Sequence, residues 1–398
     1  NFVVWGTGLL NNAKEVLHEN IYQKYLKAKK SEEIINIITE EDLKNGNVTS
    51  DNKINSWHFK AEQVPDFAFA LSDHYVWDGV KYYSDKDVFV SAVYKKENEG
   101  FKKVADLSKK SIAFFSTELP GVPYPYPSMT VFEGSGGMEY PMMVNEGVEA
   151  SNWNGNVYVT SHEILHTYFP FYMGINERKY AWMDEGWAVM LPMDFQKSET
   201  EGYDPEARNI KGYEKLAGAE LEVPLMTLTS NLKSNAYRQH AYGRSAIAYL
   251  MLESLIGEDS FKKCLKEYIS RWKGKHPIPY DFFYTFEDVL KQDLSWFWKS
   301  WFFEPGYPDL AIKSAEYINN ELVIKIEQVG NLPTPIELNM KSDSGFEITK
   351  YEPLSIWQDG KTVYEIRLQT VEPIIKITLG SDHIPDANYS NNNYEIKK

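Results

Sequence analysis

Val159-Thr-Ser-His-Glu-Ile-Leu-His-Thr-Tyr-Phe169 carries His162, Glu163 and His166 in the pattern H-E-x-x-H. In a helix, residues four apart lie one above the other on one face, so the two imidazoles come close enough to share a metal ion. Glu163 then lies beside them. Two imidazoles on an ion with an adjacent carboxylate to handle protons suit metal-assisted hydrolysis. Each residue also has a plainer reading. T-x-x-E is a helix-start signature, so Thr160 and Glu163 alone would form a capping box. A single histidine on an apolar face reads as a hydrogen-bonded core residue. The i, i+4 pairing of two histidines favours the metal.

Catalytic zinc takes three protein ligands and keeps a fourth position for water. His162 and His166 supply two, and the third must come from another element. Glu185 follows His166 after eighteen residues, enough for a turn and a second helix antiparallel to the first. Two histidines and a carboxylate form the donor set of hydrolytic Zn2+, which brings the pKa of a bound water to about neutrality. One catalytic ion is expected. Glu163 is expected to take a proton from the attacking water and to pass it to the leaving amine.

Around this run the texture of the chain changes twice. Before residue 98 it is strand-like, with period-two alternation in Trp57-His-Phe-Lys-Ala61 and Asp87-Val-Phe-Val-Ser-Ala-Val-Tyr94, and a charged stretch from Lys27 to Lys44 that reads as solvated helix and loop. Glu99 to Ser116 reads as helix, and Pro120-Gly-Val-Pro-Tyr-Pro-Tyr-Pro127 as an extended surface connection. The run Gly134-Ser-Gly-Gly-Met-Glu-Tyr-Pro141 reads as an edge strand beside glycines that admit a second backbone. Pro170 ends the H-E-x-x-H helix near Phe169, Ala181 to Met190 reads as a buried helix, and residues 198–235 are polar and irregular. From Tyr237 to Phe303 the pattern is helical, with Gly257 as a C-terminal cap. After Pro305-Gly306 the period returns to two, as expected of a β-sandwich.

Composition narrows the partners. A net charge of −15 opposes binding to nucleic acid or an anionic membrane, which requires clustered Lys and Arg. No apolar run is long enough to span a bilayer. Aromatic residues reach 15%, which reads as cores and sheet faces more than as a ligand groove. The one cysteine, Cys264, excludes an intramolecular disulfide and reads as a buried small hydrophobe. The chain starts at Asn1 and runs directly into Phe-Val-Val-Trp, from which a processed or truncated N-terminus is expected. A periplasmic or secreted location is favoured over a cytoplasmic one.

With Glu185 in Trp182-Met-Asp-Glu-Gly-Trp-Ala188, the H-E-x-x-H run resembles the gluzincin zinc metallopeptidases of the aminopeptidase N family, which includes the leukotriene-hydrolase branch. That family carries G-x-M-E-N on an upstream edge strand, and this chain has Gly136-Gly-Met-Glu-Tyr140. The resemblance implies that Glu139 binds the free α-amino group of a peptide, with Gly136 and Gly137 beside the substrate backbone. A carboxylate on an exposed strand edge has the chemistry for this, whatever the name. The plainer reading of Glu139 is an edge-strand charge. Tyr140 replaces the family's Asn. The family's catalytic tyrosine falls on Tyr242 in His240-Ala-Tyr-Gly-Arg-Ser245, which implies a hydroxyl donated to the oxyanion of the tetrahedral intermediate. Arg244 and Ser245 stand where the family has Lys and Gly. Tyr237 is a rival that lines the same site, and Tyr249 reads as core.

The expectation is therefore an α+β multidomain protein: a β-rich segment over 1–97, a thermolysin-like catalytic domain over 98–305 and a C-terminal β-sandwich over 306–398. By resemblance, the first half of the N-terminal domain and a helical domain that closes over the site are missing. The expected activity is zinc-dependent removal of N-terminal residues from peptides. An endopeptidase or non-peptide hydrolase of the same fold is the alternative enzyme. A scaffold that kept the fold and lost activity is the alternative outside enzymology.

Overall fold

A six-stranded mixed sheet has the order Ile35–Ile38, Tyr75–Tyr83, Asp87–Lys95, Ser128–Glu133, Met143–Glu146, Gly137–Tyr140, and its strand Asp87–Lys95 is buried on both faces from Val88 to Tyr94 rather than on alternate residues as its sequence reads. The first three strands pair antiparallel, the third, fourth and fifth parallel, and the last antiparallel. Strands from both sides of residue 98 thus share one sheet. The parallel step from Asp87–Lys95 to Ser128–Glu133 needs a crossover, supplied by the helix Val104–Thr117, which packs on the sheet. The computed structural model describes residues 2–396. Its chain forms two units, one of Asn1–Ile175, Leu191–Tyr203 and Ile269–Pro277, the other of Asn176–Met190, Asp204–Tyr268 and Ile278–Lys398. No helix among the described residues is long and apolar enough to cross a membrane.

In the first unit the histidine helix runs Trp153–Leu165, with Asn152 as its N-cap accepting from the Gly155 amide at 3.0 Å. It packs against Val104–Thr117 and against the last two strands of the sheet. Thr160 lies in mid-helix and donates to Glu146 Oε1 at 3.0 Å, so the capping-box reading of Thr160 and Glu163 does not hold. The α-helix stops at Leu165, earlier than Phe169. A π-helical turn, Thr167–Tyr172, follows, interrupted at Phe169 (φ −130, ψ 105) because Pro170 bars the α conformation from the residue before it.

Two stretches depart from expectation. The strand Ile35–Ile38 lies inside the charged segment 27–44, with Ile37 and Ile38 fully buried between exposed lysines and glutamates. Residues 120–127 are extended, as proline's fixed φ and missing N–H require, but they are no surface strap. Tyr124 and Tyr126 are buried, and the Tyr124 hydroxyl donates to the Ser128 carbonyl at 3.2 Å.

The second unit is helical up to residue 303 and all strand thereafter, apart from short 3-10 turns. Its helical part is held by stacked aromatics: Trp187 lies on Tyr249 with ring centroids 3.5 Å apart, and Phe282 packs edge-on to both. The polar stretch 198–235 contains the helix Pro205–Glu214, capped by Asp204. The helix Ser245–Ile256 ends where expected, at Gly257. Residues 310–395 form a three-stranded and a four-stranded antiparallel sheet that share one core, including Ile324 and Ile326 of one and Leu338 and Ile377 of the other. This is the expected sandwich. Cys264 is fully buried.

Candidate active site

Helical spacing does what the sequence predicts for the two histidines. The Nε2 atoms of His162 and His166 lie 3.3 Å apart, with His162 6% and His166 0% exposed. His166 Nδ1 is 2.9 Å from the Phe169 carbonyl, which can only accept, so Nδ1 carries the proton and Nε2 keeps its lone pair. The kink at Phe169 supplies that carbonyl. His162 is held by the Tyr158 ring, stacked on it at 5.6 Å between centroids, one helical turn away. Two nitrogens at about 2.0–2.1 Å from one tetrahedral ion would be separated by about 3.3–3.4 Å. The imidazole pair fits zinc without rearrangement.

Glu163, also buried, points toward the edge strand Gly137–Tyr140. A Cβ on Gly137 would stand 2.3 Å from Glu163 Oε1, so only glycine lets the carboxylate come this close. Glu139 is half-buried on the same strand, opposite Val144. The strand pairs on one side only among the described residues, which leaves main-chain groups on its other edge for an extended peptide. Gly136 sits in the turn before it, with its carbonyl accepting from the Gly147 amide at 2.7 Å.

One residue of this unit was not singled out from sequence. Glu146 is fully buried at the end of Met143–Glu146, in register with Gly137, and takes the Thr160 hydroxyl. Burial pushes its pKa up from 4.5 to about 8; the Thr160 bond opposes this and the Glu163 charge adds to it. The signal was present in the alternation, since Glu146 shares an inward face with Val144.

The second unit carries Glu185 and the tyrosines. Glu185 is the first residue of the short helix Glu185–Met190 and is buried. The next residue, Gly186, admits the neighbouring helix: a Cβ there would stand 2.7 Å from the Ser245 side chain and 2.8 Å from the Tyr249 ring. That approach brings Tyr242 within reach, and its hydroxyl donates to Glu185 Oε1. Burial first, and then the Glu185 charge, hold the Tyr242 pKa far above the usual value, so the hydroxyl stays a donor. Tyr237 packs edge-on to Tyr242 at 6.1 Å. Tyr249 donates to the Trp182 carbonyl at 3.0 Å from within the core, as its sequence pattern suggests.

Residues 105–301 match the family described as the Peptidase family M1 domain. These residues form a peptidase family M1 domain. The kinship with the gluzincin aminopeptidases read from the motifs is thereby borne out. Among relatives, the chain is 27% identical over 189 residues to leucine aminopeptidase 2 of Emericella nidulans, covering 44% of this chain and 31% of that protein. It is equally similar to a leukotriene A-4 hydrolase homolog of Botryotinia fuckeliana, over 44% of this chain and 29% of the relative. The tricorn protease-interacting factor F2 of Thermoplasma acidophilum is 22% identical over 82% of this chain and 43% of its own length. In structure, the M1 fold is shared with Legionella pneumophila aminopeptidase A, crystallised with aspartic acid, at a TM-score of 0.61 and 16% identity over 79% of this chain and 38% of that one. The chain spans less than half the length of each of these proteins.

Proposed function

We propose that this chain is a zinc-dependent aminopeptidase that hydrolyses the first peptide bond of substrates with a free N-terminus. The observation that carries the reading is the buried imidazole pair of His162 and His166, spaced as two ligands of one tetrahedral ion, with Glu163 alongside. His162, His166 and Glu185 would hold one Zn2+. When bound, the ion supplies a water acidic enough to be a nucleophile at neutral pH and polarises the scissile carbonyl.

The chain's own residues do the rest. The carboxylate of Glu163 accepts the proton of the attacking water and returns it to the departing amine, so one group serves as base and then as acid. The Tyr242 hydroxyl, whose one proton goes to Glu185 Oε1 in the structure, would turn that proton to the oxyanion, a charge that exists only near the transition state. Glu139 pairs with the substrate ammonium, and the open edge of Gly137–Tyr140 aligns the substrate main chain. The ammonium pairing is what would make the enzyme an exopeptidase. Supporting this, residues 105–301 match the Peptidase family M1 domain, and a relative named leucine aminopeptidase 2 aligns over 44% of this chain.

The test is a panel of fluorogenic aminoacyl substrates, each free and N-acetylated, with and without a chelator. The expected result is hydrolysis of free substrates, loss with chelator and recovery with added Zn2+. N-acetylated forms should be cleaved at least about 100-fold more slowly, the scale of a lost charge pair in a desolvated site. Equal rates for the two forms would remove Glu139 from its role and turn the reading to an endopeptidase. No hydrolysis by the zinc-loaded protein across the panel would refute the enzyme.

A further inference from the structure

Arg244 is 1% exposed and makes no ion pair among the described residues. Its two terminal nitrogens donate instead to five main-chain carbonyls: Nη1 to Val223 and Gly306, both at 3.3 Å, and Nη2 to Ser300 at 3.4 Å, Trp301 at 2.9 Å and Glu304 at 2.6 Å. Three of these belong to one place. Ser295–Trp298 continues as a π-helical turn through Lys299–Phe303, and Ser300, Trp301 and Glu304 hold the carbonyls left over at its end. A helix C-terminus carries partial negative charge, so a guanidinium is stabilised there without a carboxylate. A rigid fork of five N–H donors reaches more carbonyls at once than an ammonium with three.

Arg244 is also the last residue of the π-helical turn Gln239–Arg244, two residues after Tyr242. The Tyr242 hydroxyl is tied at one end to Glu185, and the backbone that carries it is tied at the other end through Arg244 to the 223 and 300–306 segments. π-Helical turns are rare and occur mostly as single turns within α-helices, frequently at functional sites. We infer that Arg244 is a positioning residue for Tyr242: its carbonyl clamp holds the π-helical turn that aims the tyrosine hydroxyl. The clamp extends the proposed role of Tyr242 and rests on it for its effect on rate, though not for its effect on structure.

The experiment compares R244M and R244K with the unaltered protein, alone and with Y242F. Hydrogen exchange is read first, because it needs no substrate. R244M should speed amide exchange at 239–245 and 299–304 by about tenfold or more and leave the six-stranded sheet unchanged. R244K, which keeps the charge and loses the fork, should be intermediate, and it serves if R244M does not fold. In hydrolysis of a free aminoacyl substrate, R244M should lower kcat by about 10- to 100-fold, the scale of a group displaced by about 1 Å, with KM within about twofold. In the Y242F background the same change should alter kcat by less than about twofold, since a hydroxyl already absent cannot be misplaced. Unchanged exchange at 239–245 in both variants, or a full kcat loss on top of Y242F, overturns the inference. If the unaltered protein hydrolyses no aminoacyl substrate, the proposed function fails by itself, and the exchange pattern still decides whether Arg244 holds the turn.

Discussion

Replacing Gly137 with alanine adds one methyl group at the point where the edge strand meets the proposed base. The new Cβ would lie 2.3 Å from Glu163 Oε1, 3.2 Å from its Cδ and 3.1 Å from Val159 Cγ2. Ordinary contact needs roughly 3.3 Å or more, so the carboxylate must retreat by about 1 Å. Glu163 can do this by turning its side chain, at about 0.5–1.5 kcal/mol for leaving a rotamer minimum. For a protein of this size that is a Tm shift of only a few degrees. Catalysis should suffer more, because a 1 Å displacement of a positioned group costs on the order of 100-fold, or about 2.7 kcal/mol. The expected outcome is a kcat lower by about 100-fold, a small loss of Tm and unchanged zinc content. Steady-state hydrolysis of a free aminoacyl substrate, thermal unfolding by circular dichroism and metal analysis give the three readouts. A G137A protein with kcat within threefold of the unaltered one would refute the close approach of Glu163 to this strand, or its role as base.

Other substitutions separate the remaining roles. H162A should lose stoichiometric zinc, whereas E163Q should keep it and lose about 100- to 10,000-fold in kcat; metal analysis beside the fluorogenic assay distinguishes them. Y242F should lower kcat by about 100- to 1,000-fold with KM little changed, and a large rise in KM alone would assign the hydroxyl to substrate binding. Glu146 gives a pH signature in stability. Its folded pKa of about 8 lies above its ordinary 4.5, so the folded state holds a proton that the unfolded chain releases in between. The contribution is therefore complete below about pH 4.5 and is lost as pH rises through 8, up to about 5 kcal/mol in all. E146Q, with no proton to lose, should flatten the fall in urea midpoint between pH 6 and pH 9, and parallel curves for the two proteins would count against a proton held at Glu146.

Features encoded by short-range periodicity could be read from the sequence directly. The histidine spacing is a property of one helix, so His162 and His166 meet as expected, and the alternating runs after residue 306 form the expected sandwich. Tyr249 and Cys264 lie in apolar helical patterns and are buried. Other features were hidden where a local signal competes with a distant partner. Ile35–Ile38 is a four-residue strand flanked by lysines and glutamates, and only pairing with Tyr75–Tyr83 makes it one. Thr160 and Glu163 satisfy the capping-box pattern, yet Asn152 starts the helix eight residues earlier and Thr160 is taken by Glu146. The prolines of 120–127 mark an extended chain but say nothing of what covers Tyr124.

The chemistry of this protein is thus written in residue types at helical and strand spacing: two imidazoles one turn apart, a carboxylate beside them, and a second carboxylate on a glycine-flanked strand. Spacing along one element is set by backbone geometry, which every sequence shares. How closely those groups are held is a matter of packing between elements far apart in the chain. Gly137 admits Glu163, Thr160 finds Glu146, and Arg244 reaches carbonyls some sixty residues downstream, because a buried polar group must find a partner wherever the fold brings one.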